Sequence, residues 1–300
     1  MQTIELTKVR KSYDQFVAVN DLSFSIEQGG VFGLLGPNGA GKTSTIRMMI
    51  GITAPDSGQI NLFGRPFERK SLNKVGYLPE ERGLYKKMKI LDHLVFLGEL
   101  HGMTAGAAKQ QAVEWSKRLE IDAWLQKKVE ELSKGMQQKI QFIAALLHDP
   151  DFIIMDEPFF GLDPVNATLL KDVMLDLKKQ GKTILFSTHR MDQVEKLCDS
   201  ICLINKGNAV LQGDLKTIKS GYGKCNVQIE YEGNGDFLDK NPLVSAYNNY
   251  GNYVEVRLAP GADAQELLHM VAEKSRVNKF ELMEPSLEEI FINTVGKNNA

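Results

Sequence analysis

The 300-residue sequence predicts an α/β protein with a mostly parallel sheet, followed by a small α+β domain. Two observations support this prediction. Up to about residue 215, short apolar runs alternate with helical patterns, which is typical of parallel sheets. Near Gly221 the pattern changes to strands in which apolar and polar residues alternate, as in a sheet with one exposed face. The length also suggests about two domains.

The first predicted elements are a strand, a helix and two further strands. Residues 31–35 form a short apolar run that ends at a glycine, which indicates a buried strand. Residues 43–50 carry apolar side chains on one side of a helix. A turn at 56–58 leads into a strand at 59–63, and a further strand at 74–78 ends before a proline.

From about residue 84 to residue 150 the pattern is mainly helical. Apolar residues recur at helical spacing in three stretches, which contain Leu94, Ala112 and Ile140. Pro150 is expected to end the last of these helices, because proline cannot continue the hydrogen-bonding pattern.

Alternation of strands and helices resumes after Pro150. Residues 152–155 form a second buried apolar run. Asp163 and Pro164 predict the start of a helix, with the aspartate as N-cap and the proline in the first turn. Strands at 183–187 and 201–205 enclose one more helix.

The C-terminal part has a different order of elements. Strands are predicted at 227–231 and 254–258, a helix at 264–271, a strand at 277–283 and a final helix at 286–293. This ββαβα order predicts a small α+β domain.

The composition excludes some classes of protein and leaves others open. Lys and Arg number 36 and Asp and Glu 38, so a net charge of −2 argues against a nucleic-acid-binding protein. No CxxC pair accompanies Cys198, Cys202 and Cys225, so we expect reduced thiols in a cytosolic protein. The sequence lacks an apolar leader and any stretch of about 20 apolar residues, so we expect no membrane-spanning segment.

The most informative motif is a glycine-rich loop between the first predicted strand and helix. Its pattern is GxxxxGK[ST], in the strand–loop–helix context that a phosphate-binding loop requires. Backbone N–H groups and the helix N-terminus would hold phosphates, Lys42 would reach the β- and γ-phosphates, and the Thr43 hydroxyl would bind Mg²⁺. The predicted binding residues are Gly36, Pro37, Asn38, Gly39, Ala40, Gly41, Lys42, Thr43 and Ser44. A glycine-rich turn that matches by chance is the alternative.

Two acidic residues follow the second buried run. Asp156 fits a magnesium ligand, and Glu157 fits a general base that activates water. Acidic side chains at the end of a buried strand are costly unless a cation lies nearby. The alternative is a solvent-exposed acidic pair.

Five further residues match a known pattern only in combination. Ser133 and Gly135 lie in a Leu-Ser-x-Gly motif 21 residues before Asp156, counted from Gly135. Asp163 follows the acidic pair, His189 follows a strand, and Tyr13 precedes the glycine-rich loop. Each alone has an ordinary explanation, such as a helix cap or a core aromatic residue. In this order and spacing, residues 1 to about 215 resemble the nucleotide-binding subunits of ABC transporters.

This resemblance implies a P-loop NTPase core of the ABC ATPase type, with a helical subdomain at about 84–150, that uses ATP and Mg²⁺. Tyr13 would stack on adenine, and His189 would contact the γ-phosphate beside Glu157. In a head-to-tail pair, Ser133 and Gly135 would bind the partner's ATP, and Asp163 would lie at the dimer interface. The pair would be a homodimer or a heterodimer with a paralogue. It would serve a separate transmembrane permease, as a peripheral protein on the cytoplasmic face of the cell membrane.

Two segments depart from the family pattern. Glu80 stands where the family usually has glutamine, and its carboxylate would approach Mg²⁺; alternatively it faces water or pairs with Arg82. Lys134 and Met136 replace more familiar signature residues. Residues 86–89, rich in lysine, are either a solvated turn or a contact with the membrane partner or lipid head groups.

Residues 222–300 resemble the small domain appended to ATPases of drug- and sodium-export transporters, mainly in the segment Glu284 to Phe291. The sequence therefore predicts the ATPase of an exporter. One alternative is a soluble ABC ATPase in translation or DNA repair, which would usually carry two cassettes or a long coiled coil. A second is a regulator without turnover, which the intact Glu157 and His189 disfavour.

Overall fold

The computed structural model describes residues 2–81, 83–223, 226–233 and 238–297. The chain divides into two compact units, Met1–Asp214 and Leu215–Ala300. Cys198 and Cys202 are free thiols in the first unit, whereas Cys225 and Arg82 lie outside the described residues. Within the described ranges, no helix combines the length and the apolar character needed to span a bilayer.

The first unit contains ten strands and six α-helices among the residues that the structure describes. Its strands are β1 (Gln2–Tyr13), β2 (Phe16–Glu27), β3 (Val31–Leu35), β4 (Ser57–Leu62), β5 (Arg65–Pro66), β6 (Val75–Leu78), β7 (Phe152–Asp156), β8 (Thr183–Thr188), β9 (Ser200–Asn205) and β10 (Asn208–Asp214). Its helices are α1 (Lys42–Met49), α2 (Ile90–Leu100), α3 (Ala105–Arg118), α4 (Lys134–Leu146), α5 (Pro164–Lys179) and α6 (Met191–Leu197).

The central sheet has six strands in the order β10-β9-β3-β8-β7-β6. All neighbours run parallel except the edge strand β10. Strands β3, β7 and β8 are buried along their whole length, which explains their continuous apolar runs. Their carboxyl ends meet at one edge of the sheet, because Leu35 pairs with Thr188 and Asp156 pairs with Ser187. The predicted parallel sheet is confirmed.

A second, antiparallel sheet has the order β2-β1-β4-β5 and was not predicted. Strand β1 pairs with β2 through several register shifts, so apolar and polar residues do not alternate regularly along it. The predicted turn at 56–58 is wrong in part, because Ser57 and Gly58 already belong to β4.

Three α-helices lie among the described residues between β6 and β7, as the pattern predicts. Leu94, Ala112 and Ile140 are all buried, one on each helix. Helix α4 begins after Ser133, whose side chain accepts a hydrogen bond from the backbone N–H of Met136. This helix ends at Leu146 and so stops before Pro150, which was expected to end it.

The second unit contains α7 (Leu215–Tyr222), β11 (Asn226–Glu232), β12 (Val244–Asn249), β13 (Val254–Leu258), α8 (Ala264–Lys274), β14 (Arg276–Met283) and α9 (Leu287–Lys297). Its antiparallel sheet has the order β12-β13-β11-β14. The core packs side chains of β11 and β13 against α8, among them Val227, Val256 and Leu267.

Among the described residues from 226 onward the order is βββαβα, so the predicted ββαβα order lacks one strand. Strand β12 was missed because most of its side chains are exposed, so its sequence shows no buried face. Helix α7 covers the stretch where the pattern indicated a change between domains.

Candidate nucleotide-binding site

A cavity of about 350 Å³ opens where β3 and β7 end and α1 begins. It is lined by Tyr13, Phe16, Ala18, Asn38, Gly39, Ala40, Gly41, Lys42, Thr43, Ser44, Glu80, Asp156 and Glu157. The sequence predicted all of these residues except Phe16 and Ala18. Both of these come from the start of β2, a strand that the sequence pattern did not reveal.

The loop between β3 and α1 has a backbone that only glycine can follow at two positions. Gly36 has φ +150° and Gly41 has φ +110°. A Cβ atom at Gly36 would lie 2.2 Å from the carbonyl oxygen of Ile204, and one at Gly41 would lie 2.3 Å from that of Ala18. Because these glycines have no Cβ, the loop can follow this conformation close to the neighbouring backbone. Its N–H groups can then converge on an anion at the N-terminus of α1.

Lys42 is the cation of this loop. Its side chain is buried, and its Nζ donates hydrogen bonds to the carbonyl oxygens of Gly36 at 2.7 Å and Pro37 at 3.2 Å. Burial lowers the pKa of Lys42, and the carboxylates of Glu157, Asp156 and Glu80 oppose that shift. Lys42 therefore faces three acidic side chains on the wall of the cavity.

Asp156 lies at the end of β7 and is almost fully buried. The Thr43 hydroxyl donates a 3.0 Å hydrogen bond to its Oδ2, and the Ser187 hydroxyl donates a hydrogen bond to its Oδ1. Burial raises the pKa of Asp156, while these two hydrogen bonds act in the opposite direction. A cation near this carboxylate, in addition to Lys42, would offset the cost of burying the carboxylate in its charged form.

Glu157 has φ +50°, an unusual left-handed conformation for a residue other than glycine. Its carboxylate accepts hydrogen bonds from the Thr188 hydroxyl at 3.1 Å and the His189 backbone N–H at 3.1 Å. His189 Nδ1 also lies 2.7 Å from Oε1 of Glu157. The surrounding structure thus holds a backbone conformation that is otherwise costly, which is common at functional sites.

Glu80 is the third carboxylate on the cavity wall. Burial raises the pKa of Glu80, and the charges of Asp156 and Glu157 add to that shift. The proposed alternative partner, Arg82, lies outside the described residues.

Three predicted residues lie elsewhere in the described part of the chain. Ser133 caps α4, Asp163 caps α5, and Gly135 lies near Leu162, whose Cδ2 would be 3.5 Å from a Cβ added at Gly135. Along the described ranges, none of the three lines the cavity. His189 reaches the site only through its contact with Glu157.

Sequence reasoning missed the roles of Ser187 and Thr188, which bind the two central carboxylates. A signal was present, because Ser187 ends a predicted strand and Thr188 follows it, and that strand could be placed next to the strand carrying Asp156. Carboxyl ends of neighbouring parallel strands meet, and polar residues there are expected near a ligand site.

Comparison with known proteins shows the family. Residues 19–160 match the ABC transporter family, and residues 213–295 match the C-terminal domain of DrrA1-3-like ATP-binding proteins. The uncharacterized ABC transporter ATP-binding protein YhaQ of Bacillus subtilis (strain 168) is 46% identical over 293 residues, which cover 98% of each chain. The chain belongs to the ABC transporter ATP-binding proteins.

Other members of the family extend this result. The Nod factor export ATP-binding protein I of Paraburkholderia xenovorans (strain LB400) is 34% identical over 298 residues, covering 98% of this chain and 97% of that protein. The solved ATP-binding subunit of an ABC transporter superposes with a TM-score of 0.69 at 29% identity, covering 74% of this chain and 93% of that one. The predicted P-loop NTPase fold and ABC ATPase subunit are thus confirmed, and no comparison favours a soluble ABC ATPase of another process.

Proposed function

We propose that this ABC ATPase subunit binds ATP and Mg²⁺ in the described cavity and hydrolyses ATP to drive export through a separate transmembrane permease. The observation that carries the proposal is the convergence of Lys42, Thr43, Asp156 and Glu157 on one cavity. A cation and a helix N-terminus favour phosphate, while the carboxylates supply ligands for a metal ion and a base.

ATP would lie with its phosphates on the glycine-rich loop, held by Lys42 and the backbone N–H groups. Tyr13 and Phe16 are exposed aromatic residues on the cavity wall, which fits stacking on adenine. Tyr13 was expected in this role from the sequence, and Phe16 is an additional candidate.

Mg²⁺ would be held by the Thr43 hydroxyl and the Asp156 carboxylate, with Glu80 nearby. In the part of the chain that the structure describes, no three His, Cys, Asp or Glu side chains form a ready-made metal site. This donor set still fits magnesium, which prefers oxygen ligands and usually binds through one or two carboxylates plus substrate phosphates and water. When bound, the ion would supply positive charge to the phosphates.

Glu157 would act as the general base for the attacking water. Its carboxylate is oriented by the Thr188 hydroxyl and the His189 backbone N–H, so its position does not depend on the nucleotide alone. His189 would contact the γ-phosphate from its place beside Glu157. A positioned base contributes about 10²–10⁴-fold to the rate of such a reaction.

A second nucleotide-binding subunit would complete the site. Ser133 and Gly135 lie at the N-terminus of α4, where anions bind favourably, and would cover the partner's ATP. Asp163 would lie in the dimer interface. The pair would be a homodimer or a heterodimer with a paralogue.

We assign residues 1–215 as the nucleotide-binding domain, with its helical subdomain at about 84–150, and residues 222–300 as an accessory domain. Peripheral attachment to the cytoplasmic face of the cell membrane would follow from binding the permease. Export as the direction of transport is supported by the relative named for Nod factor export.

Glu157→Gln tests the chemical part of this proposal. We expect ATP binding to persist while hydrolysis slows by about 10²-fold or more. Sedimentation with ATP and Mg²⁺ should then detect a dimer that ADP does not support, and the exposed Glu99→Gln should behave like the wild type. Normal turnover in Glu157→Gln would contradict the assignment. Recovery of the chain from membranes without a multispanning partner would contradict the transport role.

A further inference from the structure

Helix α4 carries three polar side chains that are almost completely buried. Gln138, Lys139 and Gln141 are each 6% exposed or less. Buried polar groups are costly unless they are hydrogen-bonded. Each of these three donates a hydrogen bond to the backbone carbonyl of a different segment of the chain.

Two of these hydrogen bonds reach loops that carry carboxylates of the cavity. Gln138 Nε2 donates to the carbonyl oxygen of Pro158 at 3.1 Å, and Pro158 follows Glu157 directly. Gln141 Nε2 donates to the carbonyl oxygen of Glu81 at 3.3 Å, and Glu81 follows Glu80. Residues three apart lie on the same face of a helix, so one face of α4 attaches to both loops.

The third hydrogen bond provides an internal comparison. Lys139 Nζ donates to the carbonyl oxygen of Leu119 at 2.9 Å, immediately after the end of α3. Leu119 does not line the nucleotide cavity. Lys139 therefore shares the helix and the burial of the two glutamines, but its partner lies outside the site.

The second polar atom of Gln141 indicates why packing alone does not explain this residue. Its Oε1 is buried and has no hydrogen-bond partner among the residues that the structure describes. An apolar side chain of similar size would fill the same space without that cost. The bond to the Glu81 carbonyl is the interaction that an apolar residue would lose.

We propose that Gln138 and Gln141 are positioning residues for ATP hydrolysis. Gln138 fixes the backbone that follows Glu157, and Gln141 fixes the backbone that follows Glu80. Ser133 caps the same helix, so a displacement of α4 moves both carboxylate-bearing loops together with the residue that would cover the partner's ATP. This inference rests on the proposed roles of Glu157 and Glu80.

The test uses Gln138→Met and Gln141→Met in the full chain, because methionine keeps the length of the side chain and removes the hydrogen-bond donor. Hydrogen–deuterium exchange should rise at least about threefold in the peptide containing Glu81 for Gln141→Met, and in the peptide containing residues 159–162 for Gln138→Met. The kcat for ATP hydrolysis should fall by about tenfold in both, since small misplacements of reacting groups slow reactions. The affinity for ATP should change less than about twofold, because the phosphate loop is untouched.

Lys139→Met is the matched control, and it should leave exchange in both peptides and kcat near the wild-type values. Wild-type exchange and kcat in both glutamine variants would overturn the proposal. Equal changes in Lys139→Met would also overturn it, since packing of α4 would then explain them. If a glutamine variant fails to fold, the other still decides for its own loop. A normally active Glu157→Gln would instead remove the proposed function while the exchange results stand on their own.

Discussion

The Thr43 hydroxyl donates a 3.0 Å hydrogen bond to the Asp156 carboxylate across 113 residues of sequence. The contact follows from the order of the sheet, in which β8 lies between β3 and β7. Helix α1 starts after β3, so its first turn can reach over β8 to the end of β7. Ser187 of β8 donates to the other oxygen of the same carboxylate. Helix α1 and strands β7 and β8 thus fix Thr43 and Asp156, the two groups that fit a metal ion.

Replacing Lys42 by alanine should abolish most ATP binding and all useful turnover. A hydrogen bond to a charged group contributes about 1.5–3 kcal/mol, so ATP affinity should fall by at least about tenfold. The fold should persist, because Lys42 lines the cavity and its Nζ donates hydrogen bonds to two carbonyl oxygens of its own loop. Equilibrium dialysis measures the affinity, and circular dichroism checks the fold.

Lys179→Ala is a suitable control, since Lys179 is an exposed residue of α5 that pairs with Asp176. It should bind ATP like the wild type. Near-normal ATP affinity in Lys42→Ala would show that the loop is not the phosphate site.

The second prediction concerns the two aromatic residues of the cavity. Tyr13 is 39% exposed and Phe16 is 61% exposed, so each offers a ring face to a base. Loss of a stacked aromatic side chain costs about 1–3 kcal/mol per base, so the alanine variant of the stacking residue should weaken ATP binding by about tenfold. We expect this loss in Tyr13→Ala and a smaller one in Phe16→Ala.

Tyr13→Phe is the control for the hydroxyl group and should bind ATP like the wild type. Inorganic triphosphate should bind all variants equally, because it has no base to stack. If Phe16→Ala shows the larger loss of ATP affinity, the adenine platform belongs to Phe16.

Much of the core fold could be predicted because its elements are simple. Strands β3, β7 and β8 are buried on both faces, so their apolar runs are continuous, and Asp163 followed by Pro164 marks the start of α5. Some antiparallel strands, among them β1 and β12, could not be predicted in the same way. Strand β1 is interrupted by register shifts, and β12 has few buried side chains. Strand β1 also pairs with β4, which lies more than 40 residues further along the chain, and β12 is an edge strand that pairs with β13.

The residues of the candidate site, too, were predicted only in part. The residues of the glycine-rich loop were found because one short motif contains them all. Ser187 and Thr188 were missed because their partners lie about 31 residues away and depend on strand order. Gln138 and Gln141 were not singled out, since a glutamine on a helix gives no sign of burial until the packing is known.

A third prediction concerns the division of the chain. A chain ending at Asp214 should fold and bind ATP, because the core of the first unit draws on residues from Ile4 to Ile204. Thermal unfolding should show one cooperative transition, and ATP affinity should stay within about twofold of the full chain. An insoluble or non-binding product would mean that the two units share part of their stability. A chain ending at Ser220 is the companion, and it should bind ATP equally well.

The fourth prediction is the pH dependence that Glu80 confers on the nucleotide-free chain. Burial first, and then the charges of Asp156 and Glu157, raise the pKa of Glu80 in the folded state. The folded chain therefore holds this proton more tightly than the unfolded chain, whose glutamate has a pKa of about 4.3. Stability is favoured by this group at acidic pH and is lost as pH rises through the raised folded pKa. Glu80→Gln should raise the Tm near pH 7, with a gain that shrinks towards pH 4, whereas Glu99→Gln should show no such trend.

Once metal and nucleotide are present, the same substitution should be unfavourable, because it weakens the binding of Mg²⁺. A carboxylate attracts Mg²⁺ more strongly than an amide does, so Glu80→Gln should raise the Mg²⁺ concentration needed for half-maximal hydrolysis while ATP affinity without Mg²⁺ stays unchanged. Glu80→Ala should do the same and also weaken the stimulation of ATPase activity by the permease. If Glu80 merely faces water, or forms a surface ion pair of about 0–1 kcal/mol, its substitution should neither raise the Tm nor shift the Mg²⁺ dependence of hydrolysis. Mg²⁺ titrations of both variants, with and without the permease, separate these cases, and superimposable curves would leave Glu80 without a role at the metal.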